Sequence, residues 1–201
     1  MRFEVLKLDA EIDYWRKLCN GGNEIQLKQE LMEEHRVLDN EFNFIAQCNT
    51  GQQRMDDEAL SKLQTIAKRQ WTRTLNDDLG ISLTEQSRRG STAKLPVQEN
   101  LLSDKQEHKI FWGPEDKHND KWKSEFVLQP GELKNNRGEL YNLSISRGTL
   151  NDEERFIINN HIIQTIEMID CLPFPPHLKG VPEIVGGHHE RIDGGGYPRG
   201  I

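Results

Sequence analysis

Apolar residues recur along the chain at helical spacing in two regions, separated by a stretch without period. At the start, Phe3, Val5, Leu6, Ile12, Trp15 and Leu18 fall at intervals that predict a helix over residues 1–20, closed by Gly21-Gly22. Ile25, Leu27, Leu31, Val37, Leu38, Phe42 and Ile45 predict a second helix from Glu24 to Cys48, broken at the NTGQQ stretch. Leu60, Leu63, Ile66, Ala67 and Trp71 predict a third over Asp56–Leu75. These helices are expected to pack as hairpins, with their charged faces in water.

Between Asn76 and Asn136 the period is lost. A short helix is expected over Ser82–Arg89, followed by a run rich in Gly, Pro, Asn, Asp and Lys. A segment this long without elements is commonly functional or mobile. Trp112 and Trp122 are expected to pin it to the body by burying their rings. The chain thus reads as three parts: a helical region over 1–75, an irregular linker or insertion over 76–136, and an ordered segment over 137–201. The predicted fold class is all-α.

Order returns with ELYNLSISRGTLNDEERFIINNHIIQTIEMIDCLPF. Asn151 is placed to cap a helix and Glu154, three residues on, to close a capping box. Acidic residues in the first turn suit the helix dipole. Ile158, His161, Thr165, Met168 and Leu172 fall on one stripe, which puts His161 among buried isoleucines, and Pro173 stops the helix. Alone, such a histidine reads as a core residue bonded to a backbone carbonyl. A short helix follows, with Pro182 near its start, Val181, Ile184 and Val185 on its apolar face, and His188 and His189 near its end. Neighbouring helix positions differ by about 100° in direction. Two adjacent histidines therefore serve two metals, or one is a ligand and the other a neighbour, or both are a surface pair at a helix C-terminus.

Bulk properties narrow the function classes. The formal net charge is −7, which leaves no global basic footprint for DNA or RNA. No run of about 18 apolar residues is present, so no transmembrane helix is expected. The first 15 residues carry charges in every turn, unlike a secretory signal. Cys19, Cys48 and Cys171 are scattered and odd in number, which fits neither a zinc knuckle nor a disulfide framework and suits a reducing cytoplasm.

The chain closes on GGHHERIDGGGYPRGI. Asp193-Gly194 signals a turn, the glycines permit positive φ, and Tyr197 before Pro198 is pushed toward extended backbone. A loop with an exposed tyrosine and flanking arginines, directly after two histidines, is a plausible wall for an anionic ligand.

HHERIDGGGYPRG resembles the signature of the HD-GYP family, in which His-His-Glu, Asp-Gly and Gly-Tyr-Pro occur in this order. Upstream, LYNLSISRGTLNDEERFIINNHIIQTIEMI is similar to that family's helix bearing a lone metal-binding histidine. The resemblance covers about Gly138 to Ile201. It implies an incomplete HD-superfamily helical domain and a metal-dependent phosphodiesterase acting on cyclic di-GMP or the linear dinucleotide, with Fe or Mn as the divalent metal ions. By the same resemblance His161, His188 and His189 are metal ligands, and Glu190 supports them from outside the coordination sphere. Arg191, Asp193, Gly194, Gly196, Tyr197 and Pro198 then form the substrate or partner loop. In this family that loop is thought to contact diguanylate cyclase domains, which gives a non-catalytic interaction module as the alternative.

The family's His-Asp pair is missing: His35, His108, His118 and His177 are followed by Arg, Lys, Asn and Leu. An aspartate expected after the Gly-Tyr-Pro loop is missing too. The expectation is an internal fragment or truncated reading frame of a longer protein, catalytically inactive as it stands.

Overall fold

The computed structural model describes residues 1–51, 54–90, 94–116, 125–146 and 148–201. Its described residues form two compact units. The first comprises Met1–His108 and Arg137–Thr149, the second Lys109–Asn136 and Leu150–Ile201. The segment over 76–136 therefore contributes to both.

In the first unit, α1 (Arg2–Cys19) and α2 (Glu24–Asn49) form an antiparallel hairpin. Asn23 caps α2 by accepting the Gln26 N–H at 3.0 Å. Helix α3 (Asp57–Ala67) starts at Asp56, whose carboxylate accepts the Ala59 N–H at 2.9 Å. Each cap satisfies an N–H that the first turn leaves without a partner. Phe44, Cys48, Ala59, Leu63, Ile66, Leu101 and Leu143 make the core, with Phe3, Leu6 and Leu140 packed around it. Leu143 lies on α5 (Glu139–Leu143).

The third predicted helix ends eight residues early. Residues Gln70–Arg73 form strand β1, which pairs antiparallel with β2 (Val97–Asn100) from Gln70↔Asn100 to Arg73↔Val97. The cause is a partner far along the chain, which a local period does not reveal. Trp71 and Thr72 suit a strand better than a helix, and Leu101 extends the pairing by donating to the Arg69 carbonyl at 2.7 Å. Helix α4 (Leu83–Arg88), capped by Ser82, lies within the expected short helix. Arg73 bonds Asp77 and Glu99, Lys105 also reaches Glu99, and Arg89 reaches Asp77, Asp78 and Glu85. This lattice holds the strand pair, α4 and the turn between them.

The second unit opens with β3 (Lys109–Phe111), paired antiparallel with β4 (Leu133–Asn136) through a bulge at Ile110/Phe111. Trp112 meets Phe156 edge-on, with ring centroids 5.8 Å apart, and donates its indole N–H to the Gly131 carbonyl. Trp122 lies outside the described residues, as do 91–93 and 117–124 of the segment read as irregular. The fold is mostly helical, and the all-α expectation is corrected by these two small sheets.

The histidine-bearing helix is two helices. Helix α6 (Asp152–Asn159) carries the predicted capping box: Asn151 accepts the Glu154 N–H, and Glu154 accepts the Asn151 N–H. Asn160 ends α6 and precedes α7 (His161–Asp170). Successive asparagines, whose side chains compete for backbone hydrogen bonds, are poor helix interior. The buried face is also another one than the stripe predicted. Phe156, Ile162, Ile163 and Ile166 are buried, whereas Ile158, Met168 and Leu172 are exposed. Isoleucines at 157, 158, 162, 163, 166 and 169 support two apolar stripes, and the inner one pairs with Phe126, Leu128 and Tyr197. Helix α8 (Val181–Gly186) begins with Pro182 in its first turn. Its Ile184 faces solvent, and the residue it buries is Gly186.

Candidate metal centre

His161 opens α7, and His188 and His189 lie just beyond α8. Gly186 brings the two helices together. A Cβ built there would stand 3.1 Å from an Arg199 guanidinium nitrogen and 3.2 Å from Ile166 Cγ1, so even a methyl group would press on Ile166 of α7 by a few tenths of an ångström. Instead of lying buried among isoleucines, His161 is exposed on the outer face of α7, yet it meets the pair. Its Nε2 lies 3.1 Å from Nε2 of His189.

Two of the three rings are tied to backbone. His161 Nδ1 lies 2.7 Å from the Ile158 carbonyl, and His188 Nδ1 lies 2.6 Å from the Val185 carbonyl, each three residues back. A carbonyl only accepts, so Nδ1 carries the proton and Nε2 keeps its lone pair outward. That is the arrangement in which a protein orients an imidazole for a metal. The third ring, His189, is half-buried and stacks on Tyr197. Burial, then the positive charges that His188 and His189's other neighbour His161 can carry, push the His189 imidazole below its ordinary pKa.

The three histidines offer ligand nitrogens that all lie within 4.8 Å of one another. Two nitrogens around a tetrahedral ion with bonds of about 2.05 Å stand about 3.3 Å apart, close to the 3.1 Å found between His161 and His189. Among the described residues, this group contains no carboxylate.

Glu190 serves the loop. Its Oε1 accepts the Arg199 N–H at 2.6 Å, and its Oε2 accepts those of Gly200 and Ile201 at 3.0 and 3.2 Å. The carboxylate thus closes residues 190–201 into a ring of chain. Inside it, Asp193 accepts the Gly195 N–H at 2.9 Å, and Gly194 takes φ +70°. At Gly196 a Cβ would lie 2.4 Å from both Glu190 Cα and Arg191 N, so only glycine fits where the loop crosses itself. Pro198 is fully buried after a cis peptide bond, and its carbonyl accepts the N–H groups of Val127 and Leu128. Tyr197, expected to be exposed, is half-buried against the isoleucine core. Of the two arginines, Arg191 is exposed, while Arg199 lies over the Phe126 ring at 5.8 Å.

Sequence reasoning missed the loop-closing role of Glu190 and the packing role of Gly186. The first had no local signal, since its three donors come nine to eleven residues later. The second was signalled by the Gly-Gly pair directly before His-His.

A protein-family model described as an HD domain matches residues 96–201, just over half of the chain. The match begins well upstream of Gly138, taking in β2, β3 and β4. No curated protein and no solved structure matches the chain.

Proposed function

The chain belongs to the HD domain family, and from that premise we propose that His161, His188 and His189 hold a divalent metal ion in a phosphohydrolase-type site. HD domains generally bind divalent metals, and the donor set here suits one. The observation that carries the reading is the convergence of the His161 and His189 Nε2 atoms at 3.1 Å, with the Nδ1 atoms of His161 and His188 already turned to carbonyls. A bound ion would supply a Lewis acid that polarises a phosphoryl oxygen and acidifies water. The chain's own residues would orient and shield. The two carbonyl tethers fix ring direction, Tyr197 backs His189, and the Glu190-closed loop sets Arg191 beside the histidines in sequence as a cation for an anionic ligand.

The substrate we propose, by resemblance to HD-GYP proteins, is cyclic di-GMP or its linear product, with Fe or Mn as the ion. Three neutral imidazoles supply no charge to offset two clustered cations, so the reading is of one bound ion and little turnover by these 201 residues. A second reading draws on Ile192, fully exposed at the tip of the loop next to Arg191. The same loop would then dock a diguanylate cyclase domain without catalysis.

Titration of the metal-free chain with Mn, Fe(II), Co or Zn, followed by calorimetry and by the visible bands of Co, tests the first reading. One ion per chain is expected, lost in His161→Ala and in His189→Ala. An unchanged isotherm in both variants would remove the site. Hydrolysis assays on the metal-loaded chain with cyclic di-GMP, and a pull-down with a cyclase domain, separate the two finer readings.

A further inference from the structure

Helix α1 buries no residue fully, although it is rich in apolar side chains. One side of it is occupied. Phe3 and Leu6 pack on the core of the first unit, Ala10 and Tyr14 line the groove against Leu27 and Leu31 of α2, and Lys7 bonds Asp39. At 100° per residue these positions centre on one direction. The opposite direction carries a second apolar row: Val5, Leu8, Ile12, Trp15 and Cys19. Its spacing alternates three and four residues, which is the a/d rhythm of a coiled-coil seam. Leu8, Ile12 and Trp15 are 57, 47 and 59 % exposed, and Cys19 is an exposed free thiol. Val5 is half-buried and Trp15 meets Tyr14 of the same helix edge-on at 5.1 Å, but the row from Leu8 to Cys19 largely faces solvent.

Charges beside the seam select the occupant. Asp9 and Arg16 flank it on one side, Glu4 and Glu11 on the other, and none of the four forms a side-chain ion pair with another described residue. A parallel copy would set Glu4 against Asp9 of its partner, like against like, and Glu11 against Arg16, so that one repulsion offsets each attraction. An antiparallel copy centred near residue 10 would set Arg2 against Arg16 and Asp9 against Asp9. An antiparallel copy centred between Asp13 and Tyr14 sets Asp9 against Arg16 twice, once on each side of the two-fold axis. The same register stacks Ile12 on the partner's Trp15 and Leu8 on the partner's Cys19, each layer again occurring twice. It also uses only the exposed stretch of the helix and leaves half-buried Val5 out.

We infer that the outer seam of α1 binds a second copy of this chain, antiparallel, through Leu8, Ile12, Trp15 and Cys19 with the Asp9–Arg16 pair setting register. The contact is isologous, as a two-fold interface must be. It stands independently of the histidine site, which lies in the other compact unit.

The test is the mass of the full chain by sedimentation equilibrium over a range of concentrations. A reversible dimer is expected. Ile12→Lys should give a monomer with an unchanged circular-dichroism spectrum and unchanged metal stoichiometry. Asp9→Arg should weaken the dimer by about tenfold or more, and Asp9→Arg with Arg16→Asp should restore it. A parallel seam predicts the reverse for the first of these, since Asp9→Arg would then relieve repulsion with Glu4. As a check that does not depend on charge, Leu8→Cys should cross-link to Cys19 of the partner under mild oxidation, while the unmodified chain does not cross-link through Cys19. Monomer mass at every concentration up to about 0.5 mM would overturn the inference. So would a dimer indifferent to both Ile12→Lys and Asp9→Arg, which would place another partner or another surface in its stead.

Discussion

The imidazole of His189 lies flat on the ring of Tyr197, with centroids 4.7 Å apart and planes 14° apart. Tyr197 in turn packs on Phe126, Ile162, Ile163 and Ile166, so the least tethered of the three histidines is held by the core itself. Tyr197→Ala should therefore weaken metal affinity by about tenfold, within the range seen when an outer support of a ligand is removed. Tyr197→Phe keeps the stacked face and should bind as the parent does. Calorimetric metal titration of both variants decides it.

Acid should loosen the second unit through His189. Burial is the first cause of its lowered pKa, ahead of repulsion from His188 and His161. The folded state therefore favours the neutral ring, while in the unfolded chain the ring takes up a proton near pH 6.5. The stability tied to neutral His189 is fully present above that pH and is lost as pH falls below it toward the lower folded value. Urea unfolding at about pH 7.5 and pH 5.5 should show the loss, and His189→Gln should flatten the dependence. A steeper fall in the variant would contradict this.

Glu190→Gln keeps the shape of the side chain and removes its charge. Hydrogen bonds to a charged acceptor are worth about 1.5–3 kcal/mol, and Glu190 accepts three from the loop end. The half-exposed setting places the expected loss at about 1 kcal/mol. Amide exchange at Arg199 and Gly200 should accelerate in the variant while that of Ile163 and Ile166 stays slow.

Gly196→Ala is expected to be the most damaging single methyl in the chain. Its Cβ would stand 2.4 Å from backbone atoms of Glu190 and Arg191, which have no rotamer by which to yield. The cost should exceed about 2 kcal/mol, read as a drop in the urea midpoint. Gly195→Ala, whose nearest atom is an Asp193 carboxylate oxygen at 3.1 Å, should cost much less.

The α6 cap and the long amphipathic runs were legible in the sequence. Asn151 with Glu154 marks a helix start whose signal lies within three residues, while for α2 and α4 the spans were legible and the caps Asn23 and Ser82 emerge from the structure. Strand β1 was not legible, because its partner β2 begins 24 residues beyond its end at Arg73 and no alternation extends over four residues. The phase of α6 and α7 was misread for a related reason. An isoleucine-rich stretch carries two stripes, and which one is buried is settled by Phe126 and Tyr197, which are remote in sequence. The three histidines could be grouped only through a resemblance. Their distances follow from packing at Gly186, whose Gly-Gly signal marks a close approach without naming Ile166 as the residue approached.

Gly186 acts as the stop of a calliper whose jaws are α7 and α8. His188 is locked to α8 by its bond to the Val185 carbonyl, and His161, the first residue of α7, is locked to the end of α6 by its bond to the Ile158 carbonyl. Widening the jaws would therefore move His161 from His189 without turning His161 or His188 in its seat. Gly186→Ala, by pressing on Ile166 and Arg199, would lengthen the bite of the site, and with it shift preference from small ions toward larger ones. Selectivity for ion size would then reside in a residue that touches no ion.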